Sequence, residues 1–241
     1  MINDDAARSR FSIRNHLLSA LSPDEFRFLH PHIERTALDK GYLFADFCDS
    51  IKHCFFPDSG MVSLISVTSE GDACEVGYIG FEGMVGLPAI FGKNEMPYQA
   101  VVQARTEGFR VPIDVVAQLF NQNGQFHDIS LRFIYVLLRQ FAQTSTCNHY
   151  HDMPSRLCRW LAVLSERSES RHLSLTQEFL AQMLGVQRTS IGAIAHNLQT
   201  EGVIKYKRGV LEVIDLDRLR QSACDCYVIT KHELERFVDK R

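Results

Sequence analysis

Apolar residues along 174–208, SLTQEFLAQMLGVQRTSIGAIAHNLQTEGVIKYKR, fall into two helical runs separated by a glycine. Phe179, Leu180, Met183 and Leu184 give one apolar face, and Ile191, Ile194 and Leu198 give a second, at spacings of three and four. Ser174 and Thr176 offer cap oxygens ahead of the first run, and Gln177 lies three residues after Ser174, as in a capping box. Gly185 suits a left-handed turn position that a side chain would penalise, and Val186 plugs the angle between the two helices. The second helix starts near Gln187 or Arg188 and ends at Gly202. VIKYKRGVLEVID then reads as two short strands turning near Gly209. Helix, glycine turn, helix and basic hairpin make the layout of a winged helix-turn-helix, which lays its second helix in the DNA major groove.

The second helix turns Gln187, Arg188, Thr189, Ser190, Ala193 and Asn197 away from its apolar face. Arg188 is the natural base reader, because a guanidinium pairs bidentately with guanine O6 and N7. Gln187, Thr189 and Ser190 can add base or phosphate contacts. Lys205, Lys207 and Arg208 cluster in the hairpin, where a wing meets phosphates. The competing reading is a small helical domain with an ordinary solvated charge cluster.

The front of the chain has a different rhythm. Ser22-Pro23-Asp24-Glu25 is a cap, a first-position proline and a capping-box glutamate, and it starts a helix running to about His32. From about Thr36, short apolar segments (HCFFP, MVSLISV, CEVGYIG, QAVVQA) alternate with turn residues at intervals of roughly ten, as in a small antiparallel barrel or jelly roll. Gly60, Gly71, Gly77, Gly80, Gly83, Gly86 and Gly92 are its expected turns. Strands end near Val111-Pro112, and helical pattern returns from Val115. Leu131, Ile134, Leu138 and Phe141 then form a seam spaced three, four, three, suited to pairing with a second copy. Packing of that stripe on the barrel is the alternative. A boundary is expected at His149–Pro154, after which Arg156, Leu157, Trp160, Leu161 and Leu164 open the next helix, with Trp160 in the core.

The fold class is therefore α+β: an N-terminal segment over 1–22, an antiparallel β-roll sensor over 23–126, a dimerisation helix over 127–150 and a winged helix-turn-helix over 151–241. Net charge is −3, but it is uneven. Residues 1–150 carry 12 basic and 17 acidic side chains, whereas 151–241 carry 14 and 12. A mildly acidic front and a basic focus at the back suit a sensor joined to a DNA reader. The polar start, MINDDAARSRF, holds no secretory signal, and no apolar run approaches a membrane span. The expectation is a cytoplasmic protein. Seven scattered cysteines without a C-x-x-C pair point to reduced thiols.

Barrel, long helix and winged helix-turn-helix, in that order, resemble the Crp/Fnr family of bacterial transcription regulators over about Phe26 to Leu216. GFEGMVGLPAIFG, RLCRWL and LTQEFLAQMLGVQRTSIGAIAHNL carry the resemblance. It implies a homodimer on a near-palindromic double-stranded operator, with Arg188, Thr189 and Ser190 at base-reading positions, and contact with RNA polymerase for an activator. It also implies an effector pocket in the barrel, around Met84, Val85, Tyr98 and Arg105. Members that bind cyclic AMP carry a glutamate and an arginine where this chain has Met84 and Tyr98. A thioether cannot replace the ribose-binding carboxylate, and a phenol cannot neutralise a phosphate, so the effector is expected to be a different small molecule, redox state or abundance. Those members also carry a second arginine at the position of Ala193 and a glutamate at that of Thr189, so a different half-site is expected.

Cofactor and metal are expected to be absent. No cysteine precedes Cys48, unlike the oxygen sensors that hold an iron–sulfur cluster near their N-terminus. Cys74 has no neighbouring histidine for haem. Cys147, His149 and His151 are two apart, a spacing that does not share a helix face, and Cys224 and Cys226 are read as packing the last helix against the wing, with a redox-active pair as the alternative. Two other functions stay open: a ligand-binding module that controls a protein partner, and a small-barrel metalloenzyme. The barrel's one histidine, His53, and the lack of any nucleophile or phosphate-loop motif give the enzyme little support.

Overall fold

The computed structural model describes residues 13–239; the MINDDAARSRF segment lies outside them. Two short helices, α1 (His16–Ser19) and α2 (Pro23–Leu29), lead into the first strand. At α2 the capping box forms as the sequence indicates, with Ser22 accepting from Glu25 N and Glu25 accepting from Ser22 N. Seven strands follow: β1 (Glu34–Leu38), β2 (Leu43–Ala45), β3 (His53–Pro57), β4 (Met61–Val67), β5 (Ala73–Ile79), β6 (Gln99–Ala104) and β7 (Thr106–Pro112). They form two antiparallel sheets, ordered β1-β7-β3 and β2-β6-β4-β5. Phe55, Phe56, Met61, Leu64 and Ile79 are fully buried; Phe55 meets Phe44 of the other sheet, whereas Phe56, on the opposite face of β3, meets Phe126.

Helix α3 (Ile113–Phe120) leads to the long α4 (Gln125–Tyr150), which lies on the open edge strand β5. Gly77, expected at a turn, lies within β5 instead. A β-carbon there would fall 2.6 Å from the Phe141 ring of α4, so glycine lets the helix lie against the strand. Gln140 of α4 then accepts from Tyr78 N at 2.7 Å, satisfying a backbone donor of the sheet edge. A β-carbon at Gly83 would strike the Phe133 ring of α4 in the same way.

The C-terminal part comprises α5 (Met153–Arg167), β8 (His172–Ser174), α6 (Gln177–Leu184), α7 (Arg188–Thr200), β9 (Ile204–Lys207), β10 (Val210–Val213), α8 (Leu216–Ser222) and α9 (Cys226–Asp239). The three strands make a small antiparallel sheet ordered β8-β10-β9. Against expectation, α9 does not close on the wing. It crosses α4, and Phe237 packs on Phe133 and His16. No helix of the described residues is long and apolar enough to cross a membrane.

Candidate nucleic-acid interface and effector cleft

The helix-turn-helix is built as the pattern requires. Thr176, not Ser174, is the N-cap of α6, accepting from Phe179 N at 3.1 Å. Ser174 is instead paired to Val210 in the wing sheet, so the Ser174–Gln177 capping box does not form. Gly185 takes the left-handed conformation, φ +62°, and α7 begins at Arg188 with Gln187 before it. Ile191, Ile194, Ala195 and Leu198 are buried, which orients the opposite face outward. Gln187, Arg188, Thr189, Ala193 and Asn197 are exposed, and Ser190 is half-buried. His196 is exposed beside them; periodicity does not single it out, because it does not rank residues within a polar face.

The wing turns on Arg208 and Gly209, both at positive φ (51° and 79°), the backbone of a tight right-twisting hairpin. Lys205, Lys207 and Arg208 are exposed on it. Two hydrogen bonds fix the wing to the reading unit: Gln199 of α7 accepts from Tyr206 N at 2.9 Å, and the Tyr206 hydroxyl donates to Leu175 O at 2.8 Å. Wing and reading helix are therefore held as one rigid basic surface.

This reader docks on the sensor through buried polar contacts that the sequence pattern did not reveal. The Trp160 indole of α5 is in the core as expected, but its N–H donates to the Glu75 carboxylate of β5 at 3.1 Å. Ser63 donates to the same carboxylate. Burial pushes the Glu75 carboxyl above its ordinary range, against the opposing effects of Ser63, Trp160 and nearby Arg159. Arg167 of α5 pairs with Glu82 at 2.6 Å, their side chains 14% and 1% exposed, and Glu82 also accepts from Gly80 N at 2.8 Å. Arg156 donates to Asn148 of α4 at 2.8 Å and also to the Leu184 carbonyl just before the Gly185 turn.

A cleft of about 570 Å³ opens between β5 and the end of α4, lined by Ser66, Cys74, Val76, Tyr98, Phe141 and Asn148 among others. Its lining carries no Lys, Arg, Asp or Glu. Of the four positions suggested for the effector, Tyr98 is the one that lines it, its ring edge-on to Phe141 at 6.3 Å. Met84 and Val85 are fully buried, and Val85 N and O are bonded to Phe55 across the roll. Arg105 turns to solvent and pairs with Asp39 at 3.2 Å, so it is not placed to meet a ligand there.

On α4 the suggested seam splits from the buried face. Phe133, Val136, Leu137 and Gln140 face the protein, whereas Leu131, Tyr135 and Leu138 are exposed and Ile134 and Phe141 half-buried. An apolar hollow of about 350 Å³, lined by Leu87, Pro88 and Phe91 of the roll together with Leu138 and Phe141, extends that surface. At the end of α4, Cys147 meets Cys224 at 3.5 Å, bringing together cysteines far apart in the chain. That contact, with Arg159 nearby, holds the Cys147 thiol well below its usual range and, with burial, pushes Cys224 up.

Comparison with known proteins follows the same division. Residues 155–222 match the family model of a Crp-like helix-turn-helix domain, and residues 37–123 match that of a cyclic nucleotide-binding domain, together more than half of the chain. Among solved structures, the chain is similar to a putative transcriptional regulator of the Crp/Fnr family from Eubacterium rectale ATCC 33656, at 16% identity and TM-score 0.68, over 86% of this chain and 96% of that one. It is also similar to FixK2 from Bradyrhizobium japonicum, at 12% identity and TM-score 0.65, over 80% and 98%. A third is the c-di-GMP-responsive global regulator CLP of Xanthomonas campestris, at 18% identity and TM-score 0.61, over 80% and 99%. At these identities the likeness is one of fold. No curated protein sequence matches the chain.

Proposed function

The chain belongs to the Crp/Fnr family of transcription regulators, and we propose that it acts as a cytoplasmic homodimer whose two α7 helices enter successive major grooves of a near-palindromic operator. The observation that carries this is the exposed face of α7, from Gln187 to Asn197, presented by a helix whose apolar face is anchored and continued by the basic wing. Arg188 reads a base edge, Thr189, Ser190, Ala193 and Asn197 line the groove, and Lys205, Lys207 and Arg208 hold phosphates. Leu131, Ile134, Leu138 and Phe141 pair the two subunits, and residues 23–126, 127–150 and 151–241 divide as sensor, dimerisation helix and reader. As an activator the dimer would also touch RNA polymerase.

The barrel serves as a regulatory module and not as an active site. Its effector is not cyclic AMP, since Met84 and Tyr98 offer neither carboxylate nor cation, and the cleft lining holds no Lys, Arg, Asp or Glu. A neutral small molecule entering the cleft would press on Cys74 and Asn148. A β-carbon at Gly185 would lie 3.2 Å from Cys74 Cβ, and Asn148 is held by the same Arg156 that grips Leu184 O. Occupancy would therefore bias the seat of the reading unit.

The test is selection from a random-core DNA pool by the purified protein near physiological salt. The expected product is a palindrome with half-sites about one helical turn apart. Arg188→Ala should weaken specific binding by about 1–3 kcal/mol and relax choice at one base pair of each half-site. Unchanged affinity and specificity would remove Arg188 from that role. Failure to select any sequence, with and without cell extract, would overturn the DNA-reading proposal.

A further inference from the structure

Four metal-ligand side chains meet where the long helix ends. Cys147 lies in the last turn of α4, His151 caps that helix in extended conformation, Cys224 lies in the link between α8 and α9, and Cys226 opens α9. Their ligand atoms all lie within 4.8 Å of one another. Cys147 Sγ is 3.5 Å from Cys224 Sγ, and Cys226 Sγ is 3.3 Å from His151 Nδ1. Thiolates about 2.3 Å from a shared tetrahedral ion stand about 3.7 Å apart, so these separations suit one ion. A [4Fe–4S] cluster sets each thiolate on a different iron and spreads the sulfurs more widely.

The surroundings are organised for the same purpose. His151 Nε2 faces the Asp225 carboxylate at 3.3 Å, which fixes the tautomer and leaves Nδ1 as the lone-pair nitrogen turned to the sulfurs. Gln143 of α4 donates to Cys226 Sγ at 3.0 Å. Three thiolates, a neutral imidazole and a divalent cation sum to one negative charge, and the buried Arg159 guanidinium, whose field reaches Cys147 and Cys224, balances it. The four ligands also lie outside both matched domains, between residues 123 and 155 and beyond 222.

We propose that Cys147, His151, Cys224 and Cys226 bind one tetrahedral zinc-class divalent ion. Binding displaces to solvent the protons that the thiols still carry, and three thiolate sulfurs and one nitrogen donate to the metal. The ion staples the end of α4 to the start of α9 across the hinge from which α5 departs, where Cys224 N already donates to Ser155 O.

The full chain, purified without chelator or histidine tag, should carry about one zinc per subunit by elemental mass spectrometry. Cys224→Ser and Cys226→Ser should each lower that content several-fold, while Cys48→Ser, at an exposed cysteine elsewhere, should leave it unchanged. Cobalt loading of the unaltered chain needs no variant to fold. It should give strong thiolate-to-cobalt bands and the visible d–d spectrum of a tetrahedral, sulfur-rich site. Two results would overturn the proposal: a chain that holds neither zinc nor cobalt after anaerobic reconstitution, or iron with acid-labile sulfide in place of zinc. Metal content is read without DNA, so the outcome is independent of operator binding.

Discussion

Leu138→Glu should convert a dimer into monomers and remove operator binding. Leu131 and Leu138 are 47% and 59% exposed on the single chain, in line on α4 and flanked by exposed Tyr135. Full burial of a leucine side chain contributes roughly 1.5–3 kcal/mol, so covering the exposed half of each contributes roughly 1 kcal/mol. Leu138→Glu removes that from both subunits, roughly 2 kcal/mol, and places two carboxylates at the seam. Each carboxylate left without a partner there costs roughly 1–3 kcal/mol more. The sum, about 4 kcal/mol or more, weakens the dimer about a thousandfold. Sedimentation velocity over a concentration series reads the change directly, and Leu138→Met, of similar volume, should leave the dimer intact. A Leu138→Glu protein that stays dimeric at the parent's concentration would refute the assignment of this face and leave the hollow beside Phe91 as the place to look.

Other consequences follow from the same geometry. Arg208→Ala should lower the slope of log affinity against log salt by about 2 per dimer, at about 0.9 for each phosphate no longer neutralised, with little change in preferred sequence; an unchanged slope in a salt titration would take Arg208 off the backbone. Glu82→Gln should destabilise the fold by about 3–5 kcal/mol, because it strands the buried Arg167, and Glu82→Gln with Arg167→Met should recover most of that loss in a denaturant double-mutant cycle; strictly additive losses would mean that the pair does not act as a unit. Glu75 has its folded-state pKa raised by burial, so its favourable contribution is complete below the unfolded value near 4.5 and is lost as pH rises through the folded value. Glu75→Gln, permanently neutral and still an acceptor for Trp160, should flatten the fall in stability above that pH, and denaturation curves of equal slope in parent and variant would contradict the sign.

The elements most legible in the sequence were those specified by local chemistry. Gly185 and Gly209 needed positive φ, Ser22 and Glu25 needed each other, and the strand segments HCFFP, MVSLISV and QAVVQA carried both their composition and their bounds. What escaped depended on partners distant in the chain. Ser174 looked like a cap until pairing with Val210 drew it into a sheet. Gly77 looked like a turn because nothing local shows that Phe141 will press on it. The spacing argument against Cys147, His149 and His151 was correct for a single helix, and His149 indeed stands apart from the cluster. It missed His151 because that residue lies beyond the last helical turn, and it missed Cys224 because the contact spans 77 residues. Glu75 gave no signal as a docking residue, since one carboxylate in an apolar strand is read the same way whether it meets water or an indole.

The buried contacts explain why a response of the reader should be switch-like. Glu75 with Trp160, Glu82 with Arg167, and Arg156 with Asn148 join the reader to the sensor or the long helix at points spread along α5. Breaking either of the first two alone leaves a desolvated charge or donor unpaired, at several kcal/mol for a charge, so partial undocking is costly. The reader therefore has either the whole set or, after a larger movement that lets water in, none of it. Packed interfaces of this kind have discrete alternatives and do not deform continuously. A ligand in the cleft would touch Cys74, next to Glu75, and Asn148, the partner of Arg156, and would need only to prefer one of the two arrangements. The differential affinity required to carry the population from 1:99 to 99:1 is about 5.5 kcal/mol. That is within reach of a small molecule filling the cleft, without any charged contact to hold it.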